Sequence, residues 1–191
     1  MDINTLKLVA LQEMKQIRRN WLFIFFVFLV MTGILCLQIV MQTSSVAYNL
    51  RALPCSIPYL NALLYNFLQC LFVIFATGDF VHREVRKDTI AAIQTRAYEN
   101  KEYLFGKVIG IVFSFFCLNI IAAFAAFVFQ MITKQTSFTF FPYIFYLFTL
   151  TFPTLLFITG LSLLVHSVVR SMFLAITCLL GYCILDIWFL T

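Results

Sequence analysis

The feature that most constrains this chain is a charge-free apolar run from Trp21 to Met41, followed by four more runs of comparable length at about 57–77, 105–132, 140–165 and 172–190. A helix needs about 20 apolar residues to cross the ~30 Å hydrocarbon core of a bilayer. The chain is 63% hydrophobic and 11% charged, with mean hydropathy +0.98, whereas soluble domains run near 45–50% apolar and about 25% charged. In lipid that surface needs no burial, but every backbone polar group must be satisfied within the segment, which selects helices. The sequence therefore predicts an all-α, polytopic transmembrane helical bundle of about five spans, forming one membrane domain over residues 1–191.

The third run carries Lys107 at its start, and the fifth is interrupted by Asp186. The third and fourth are longer than a perpendicular crossing requires, so tilt or projection beyond the membrane is expected. Pro153 lies inside the fourth run and is expected to kink it, because it removes a backbone donor and crowds the preceding turn. The 24 phenylalanines suit lipid-facing and interhelical surfaces.

The connections give an orientation. Lys7, Lys15, Arg18 and Arg19 precede the first run. Arg83, Arg86, Lys87, Arg96, Lys101 and Lys107 lie between the second and third, and Arg170 lies between the fourth and fifth. The other two connections hold only Arg51 and Lys134. Eleven basic residues thus fall on one side and two on the other. Basic connections stay cytoplasmic, so the chain is predicted to lie in the cell (inner or plasma) membrane with its N-terminus in the cytoplasm. The net charge of +5 follows from these clusters and does not call for nucleic acid as a partner. The uncharged first run is longer than the apolar core of a cleaved signal peptide.

Residues 3–19 read as an interfacial helix. Ile3, Leu6, Ala10, Met14 and Ile17 fall near one face, with Lys7, Lys15 and Arg18 elsewhere on the wheel, although Leu8 and Leu11 widen the apolar side. Such a helix can lie at the headgroup level with its basic residues toward anionic lipid.

The connection from Gly78 to Lys107 holds about half of the charged residues and has no proline, and no glycine between Gly78 and Gly106. Asp88 is placed to cap a short helix. Ile90, Ala91, Ile93 and Ala97 then form an apolar side, suited to docking in a groove of a soluble partner. Glu84 sits between Arg83 and Arg86. Asp88-Thr89, the apolar Ile90 to Ile93, Arg96-Ala97-Tyr98 and Tyr103-Leu104-Phe105-Gly106-Lys107 follow in order.

In that order, on the cytoplasmic side after a second span, the stretch resembles the membrane subunit of an ATP-binding-cassette transporter of the type-2 exporter class. The departures are Asp88 where glycine is common and Arg96-Ala97 where Pro-Ser-like pairs are common. The resemblance implies that this region contains the coupling helix that docks on a separate ATPase subunit. Its coupling residues would be Arg83, Glu84, Arg86, Asp88, Thr89, Ile90, Ile93, Arg96 and Tyr98. It further implies a second permease subunit, in a homodimer or heterodimer, and a substrate path between the two. The family usually has six spans with both termini inside, so a chain ending at Thr191 after a fifth is expected to be a fragment lacking the last one.

No Gly-x4-Gly-Lys-Ser/Thr loop is present, since Gly106-Lys107 is followed by Val108. Nucleotide hydrolysis is therefore expected on another chain, with no cofactor here. His82 and His166 belong to no metal motif, and no paired-acid or nucleophile-elbow signature appears. The six cysteines have no Cys-x-x-Cys spacing and read as small apolar residues. Asn61, Asn66, Gln69, Asn119 and Gln130 lie within the apolar runs and read mainly as interhelical hydrogen-bonding groups. Asp186, an acid inside an apolar run, reads as snorkelling to the outer interface, with a role in a translocation path as the alternative. The alternative to an exporter permease is a non-transporting integral membrane protein, either an enzyme or an assembly factor.

Overall fold

The computed structural model describes residues 3–43, 55–85, 100–132, 140–169 and 171–190, which are helical almost throughout and contain no strand. Helix α1 is Ile3–Arg18, α2 is Trp21–Thr43, α3 is Ser56–Val85 and α4 is Asn100–Ile132. The short α5, Phe141–Tyr146, passes through a π-helical turn, Leu147–Thr151, into α6, Phe152–Val168, and α7 is Met172–Leu190. The chain is thus an all-α polytopic helical bundle, as the apolar runs require. Trp21–Thr43, Ser56–Asp79, Tyr103–Ile132 and Phe141–Val168 are long and apolar enough to cross a membrane. The fifth run forms the 19-residue helix α7.

Two helices run beyond the apolar runs they contain. The second run, expected over 57–77, continues as helix to Val85, and the third begins at Asn100 rather than at 105. A hydropathy boundary marks where lipid stops being the right solvent, whereas a helix ends only where caps or breakers end it. At about 1.5 Å per residue, the 30 residues of α3 and the 33 of α4 span about 45 and 50 Å. Both exceed the ~30 Å core. Their charged ends supply the excess.

Span four departs from a regular helix one turn before Pro153. A proline ring in an α-helix collides with the carbonyl four residues earlier, here that of Thr149. The π turn Leu147–Thr151 widens the backbone at that point. Threonine hydroxyls serve the carbonyls around it. Thr149 donates to Phe145 O at 2.6 Å, and Thr151 donates to Tyr146 O at 3.2 Å. Thr154 donates to Leu150 O and to Thr151 O. In lipid no water would otherwise satisfy these groups.

The chain forms two compact units. One comprises Met1–Arg19, Cys70–Ser114 and Leu156–Thr191, and the other comprises Asn20–Gln69 and Phe115–Leu155. In the first, Val73, Ile74, Ile111, Ile158, Ala175 and Leu179 are buried. In the second, the ring of Phe26 lies 5.6 Å from Phe115 and 6.2 Å from Tyr65, with Phe23 also 5.6 Å from Phe115. Such aromatic pairs add about 0.5–1.5 kcal/mol each beyond area burial. Phe28, Phe124, Phe157 and Phe173 face outward. Surface of that kind suits contact with lipid and not with water.

Helix α1 is separate from α2, as expected for an element distinct from span one. It ends at Arg18, and Asn20 opens α2 by accepting the Leu22 N–H at 3.2 Å on its side-chain oxygen, the geometry of an N-cap.

Candidate functional site

The predicted coupling residues divide between two settings. Arg83 and Glu84 lie in the last turn of α3. Arg86, Asp88, Thr89, Ile90, Ile93, Arg96 and Tyr98 lie at 86–99, outside the described residues. The helices on either side are described. α3 enters the connection as continuous helix through Val85, and α4 leaves it from Asn100. Each is stiff enough to carry a displacement along its axis, which a short irregular loop would dissipate.

Gly106 and Lys107, the glycine and lysine of the sequence pattern, lie about two turns inside α4 and receive the N-terminal helix. Gly106 and Gly110 are one turn apart on the same face. A β-carbon at Gly106 would lie 3.0 Å from Val9 Cβ and 3.1 Å from the Leu6 carbonyl. At Gly110 it would lie 2.9 Å from both the Ala10 carbonyl and Glu13 Cβ. The two glycines let α1 approach the α4 backbone closely, the contact that small residues spaced by four permit between helices. Beside them, Lys107 Nζ lies 3.8 Å from a Glu13 carboxylate oxygen, with Glu13 only 3% exposed. The same ammonium sits 4.6 Å over the ring of Tyr103, an arrangement that favours a cation.

The expected face of α1 is met in part: Ala10 and Ile17 are buried and Leu6 and Met14 half-buried, while Val9 and Glu13 are buried beside them and Leu8 and Leu11 are exposed. The face extends to a carboxylate because α4 supplies the countercharge at Lys107 and close approach at its two glycines. Hydropathy had assigned Glu13 no role. The pattern Gly106-x3-Gly110 is the signal in the sequence for this close contact.

Elsewhere in this unit, the hydroxyls of Thr77 and Ser162 are hydrogen-bonded to each other in a fully buried setting. Four residues on, His166 Nδ1 lies 2.8 Å from the Ser162 carbonyl. Its Nε2 would lie 2.8 Å from a β-carbon at Gly78. Glycine at 78 therefore makes room for a buried imidazole.

The second unit holds most of the intramembrane amides, and four of the five expected to bind across helices do so. Asn119 Nδ2 donates to Gln69 Oε1 at 2.8 Å. Thr154 Oγ1, which shares its single proton with the Leu150 and Thr151 carbonyls, lies 3.3 Å from Asn66 Oδ1. The Tyr143 hydroxyl donates to Gln130 Oε1 at 2.6 Å. Gln38, which sequence reasoning passed over, donates from Nε2 to the Ala126 carbonyl at 3.1 Å. Asn61 is the exception, with neither amide atom hydrogen-bonded. Asp186 lies in α7, but its side-chain surroundings are outside the described residues.

The Gln69–Asn119 bond gives a stability prediction. Asn119→Leu is expected to strand the Gln69 carbonyl oxygen and to cost about 0.5–2 kcal/mol. Replacing both residues by leucine is expected to recover part of that loss, since the buried acceptor goes too. Melting in detergent checks this. A double variant whose loss equals the sum of the single losses would show that the pair is not coupled.

Among known families, the model of the ABC-2 family transporter protein matches residues 8–189, nearly the whole chain and including both the α1 seat and the connection at 86–99. No curated protein matches it.

Proposed function

From membership of the ABC-2 transporter family, to which the chain belongs as a multi-pass membrane permease of an ABC transporter, we propose that it is the permease subunit of an ATP-driven exporter. A separate ATP-binding-cassette subunit hydrolyses ATP, and this chain contributes no catalytic residue. It pairs with a second permease subunit, and the translocation path runs between the two. The N-terminus faces the cytoplasm of the cell membrane, which places α1 and the 86–99 connection on the side where ATP is available.

The observation that carries this reading is the pair of long helices flanking the connection. α3 and α4 are longer than the bilayer core is thick and carry charged residues toward a connection whose sequence includes Ile90 and Ile93. Closure of an ATPase against that segment would push on two spans at once. Arg83, Arg86 and Arg96 steer docking toward acids on the partner, Glu84 pairs with a basic residue there, Asp88 caps the coupling helix, and Thr89 and Tyr98 border the contact.

The test is photo-crosslinking in native membranes from an unnatural residue at Thr89, followed by purification. The expected product is a covalent adduct with a nucleotide-binding protein, stronger than from the same residue placed at Arg51 on the opposite side. Recovery of no such protein from Thr89, or equal recovery from Arg51, would favour a non-transporting membrane protein and the opposite orientation, respectively.

A further inference from the structure

Asn61 lines a cavity of about 30 Å³ within the second unit, room for about two waters. Its side chain is 5% exposed. The amide approaches the Tyr143 hydroxyl but meets hydrogen-bond geometry with no group, at either its nitrogen or its oxygen. Three of the neighbouring polar groups have partners. Asn119 gives its amide proton to Gln69, Tyr143 gives its hydroxyl proton to Gln130, and Thr151 gives its own to the Tyr146 carbonyl. Tyr65 and Tyr146 also line it, Tyr65 donating its hydroxyl proton to the Phe115 carbonyl at 3.4 Å, and the remaining wall is apolar, including Ala122 and Ala126.

An amide with both atoms unsatisfied is unfavourable anywhere in a protein interior, and more so at membrane depth. The cavity is where a partner fits. That partner must accept from Nδ2 and donate to Oδ1. A hydroxyl does both, whereas a carbonyl only accepts and an ammonium only donates. A charged group would have no countercharge among the residues lining this cavity. The volume admits water or a single hydroxymethyl group. A second feature marks the same place. Leu147 and Thr151, the two ends of the π turn, line the cavity, and π-helical turns gather at functional sites.

We propose that this cavity is a binding site for a hydroxyl group, supplied by water or by the hydroxymethyl end of a small neutral solute, and held by the Asn61 amide against the π turn. The site lies inside one chain, so it is distinct from any path between two permease subunits.

The test uses the full chain in lipid bilayers, labelled with 15N at asparagine, and solid-state NMR with magnetisation transferred from water. The Asn61 side-chain signal is identified by its loss in Asn61→Leu. Its transfer is expected to be several-fold greater than that of Asn66, which is buried and bonded to Thr154 but does not line the cavity. Ala122→Val, which fills the cavity, is expected to abolish the transfer while the Asn61 signal remains. Titration with methanol separates the two sources. A saturable shift with loss of water transfer identifies a site that takes a solute hydroxyl, and an unmoved, water-contacted signal identifies resident water. An Asn61 signal as dry as that of Asn66 and unmoved by methanol overturns the proposal in the unmodified chain, whatever the variants do.

Discussion

Gly110→Val is expected to lift helix α1 off α4 and to lower the melting temperature by about 5–10 °C. A β-carbon at Gly110 would stand 2.9 Å from the Ala10 carbonyl and from Glu13 Cβ, and valine adds two methyl groups beyond it. The first obstacle is backbone, so no rotamer change relieves it. Over-packing of this kind costs about 1–3 kcal/mol, and in a chain of this size each kcal/mol moves the melting temperature by about 2–4 °C. A displaced α1 would also draw Glu13 away from Lys107, now 3.8 Å distant, weakening the countercharge of a buried carboxylate. Gly160→Val is the control, because a β-carbon there meets nothing within 4 Å. It is expected to leave melting within about 1 °C, in keeping with substitutions away from packed features. Equal melting curves for the two variants would mean that the close contact between α1 and α4 does not hold the helix.

The contrast between these glycines shows what the sequence could and could not reveal. The spans were legible because a bilayer imposes one requirement, about 20 apolar residues, that a run such as Trp21 to Met41 meets without ambiguity. The far ends of α3 and α4 were not, because their charged residues are compatible with helix outside lipid and hydropathy has no term for that. The N-terminal helix was legible as an element, and so was part of its buried face, Ala10 and Ile17, but not the burial of Val9 and Glu13 beside them. Burial of Glu13 depends on Lys107 and on two missing side chains in α4, all distant in sequence. A hydropathy wheel built on α1 alone contains none of that.

The intramembrane polar residues follow the same division. Their type announces that they need partners in a medium without water. Their partners depend on the register between helices. Gln69 meets Asn119 and Asn66 meets Thr154, while Asn61, on the same helix, meets a cavity. Pro153 signalled an irregularity in span four but not its form. The π turn places the accommodation at Leu147–Thr151, ahead of the ring.

Ile90→Asp and Ile93→Asp are expected to uncouple the ATPase while leaving the permease inserted. The sequence spacing of Ile90, Ile93 and Ala97, which would share one side of a helix, motivates the prediction, together with the family match across this stretch. If these isoleucines fill a groove on the ATPase, a carboxylate placed there loses its water without gaining a partner, at a cost of several kcal/mol. A loss of about 3 kcal/mol would weaken docking roughly a hundredfold, since each 1.4 kcal/mol is a factor of ten. Thr95→Asp, on the opposite side of the same helical wheel, puts an equal charge in solvent and is expected to retain most of the coupling. The readouts are the amount of ATPase retained on purification and the stimulation of its ATP hydrolysis by the permease. Insertion should be unchanged in all three variants, because none of these positions lies within a span. If Ile90→Asp, Ile93→Asp and Thr95→Asp retain the ATPase equally and stimulate it equally, the apolar side is not the contact. The basic residues Arg83, Arg86 and Arg96 would then be left as fixing topology alone.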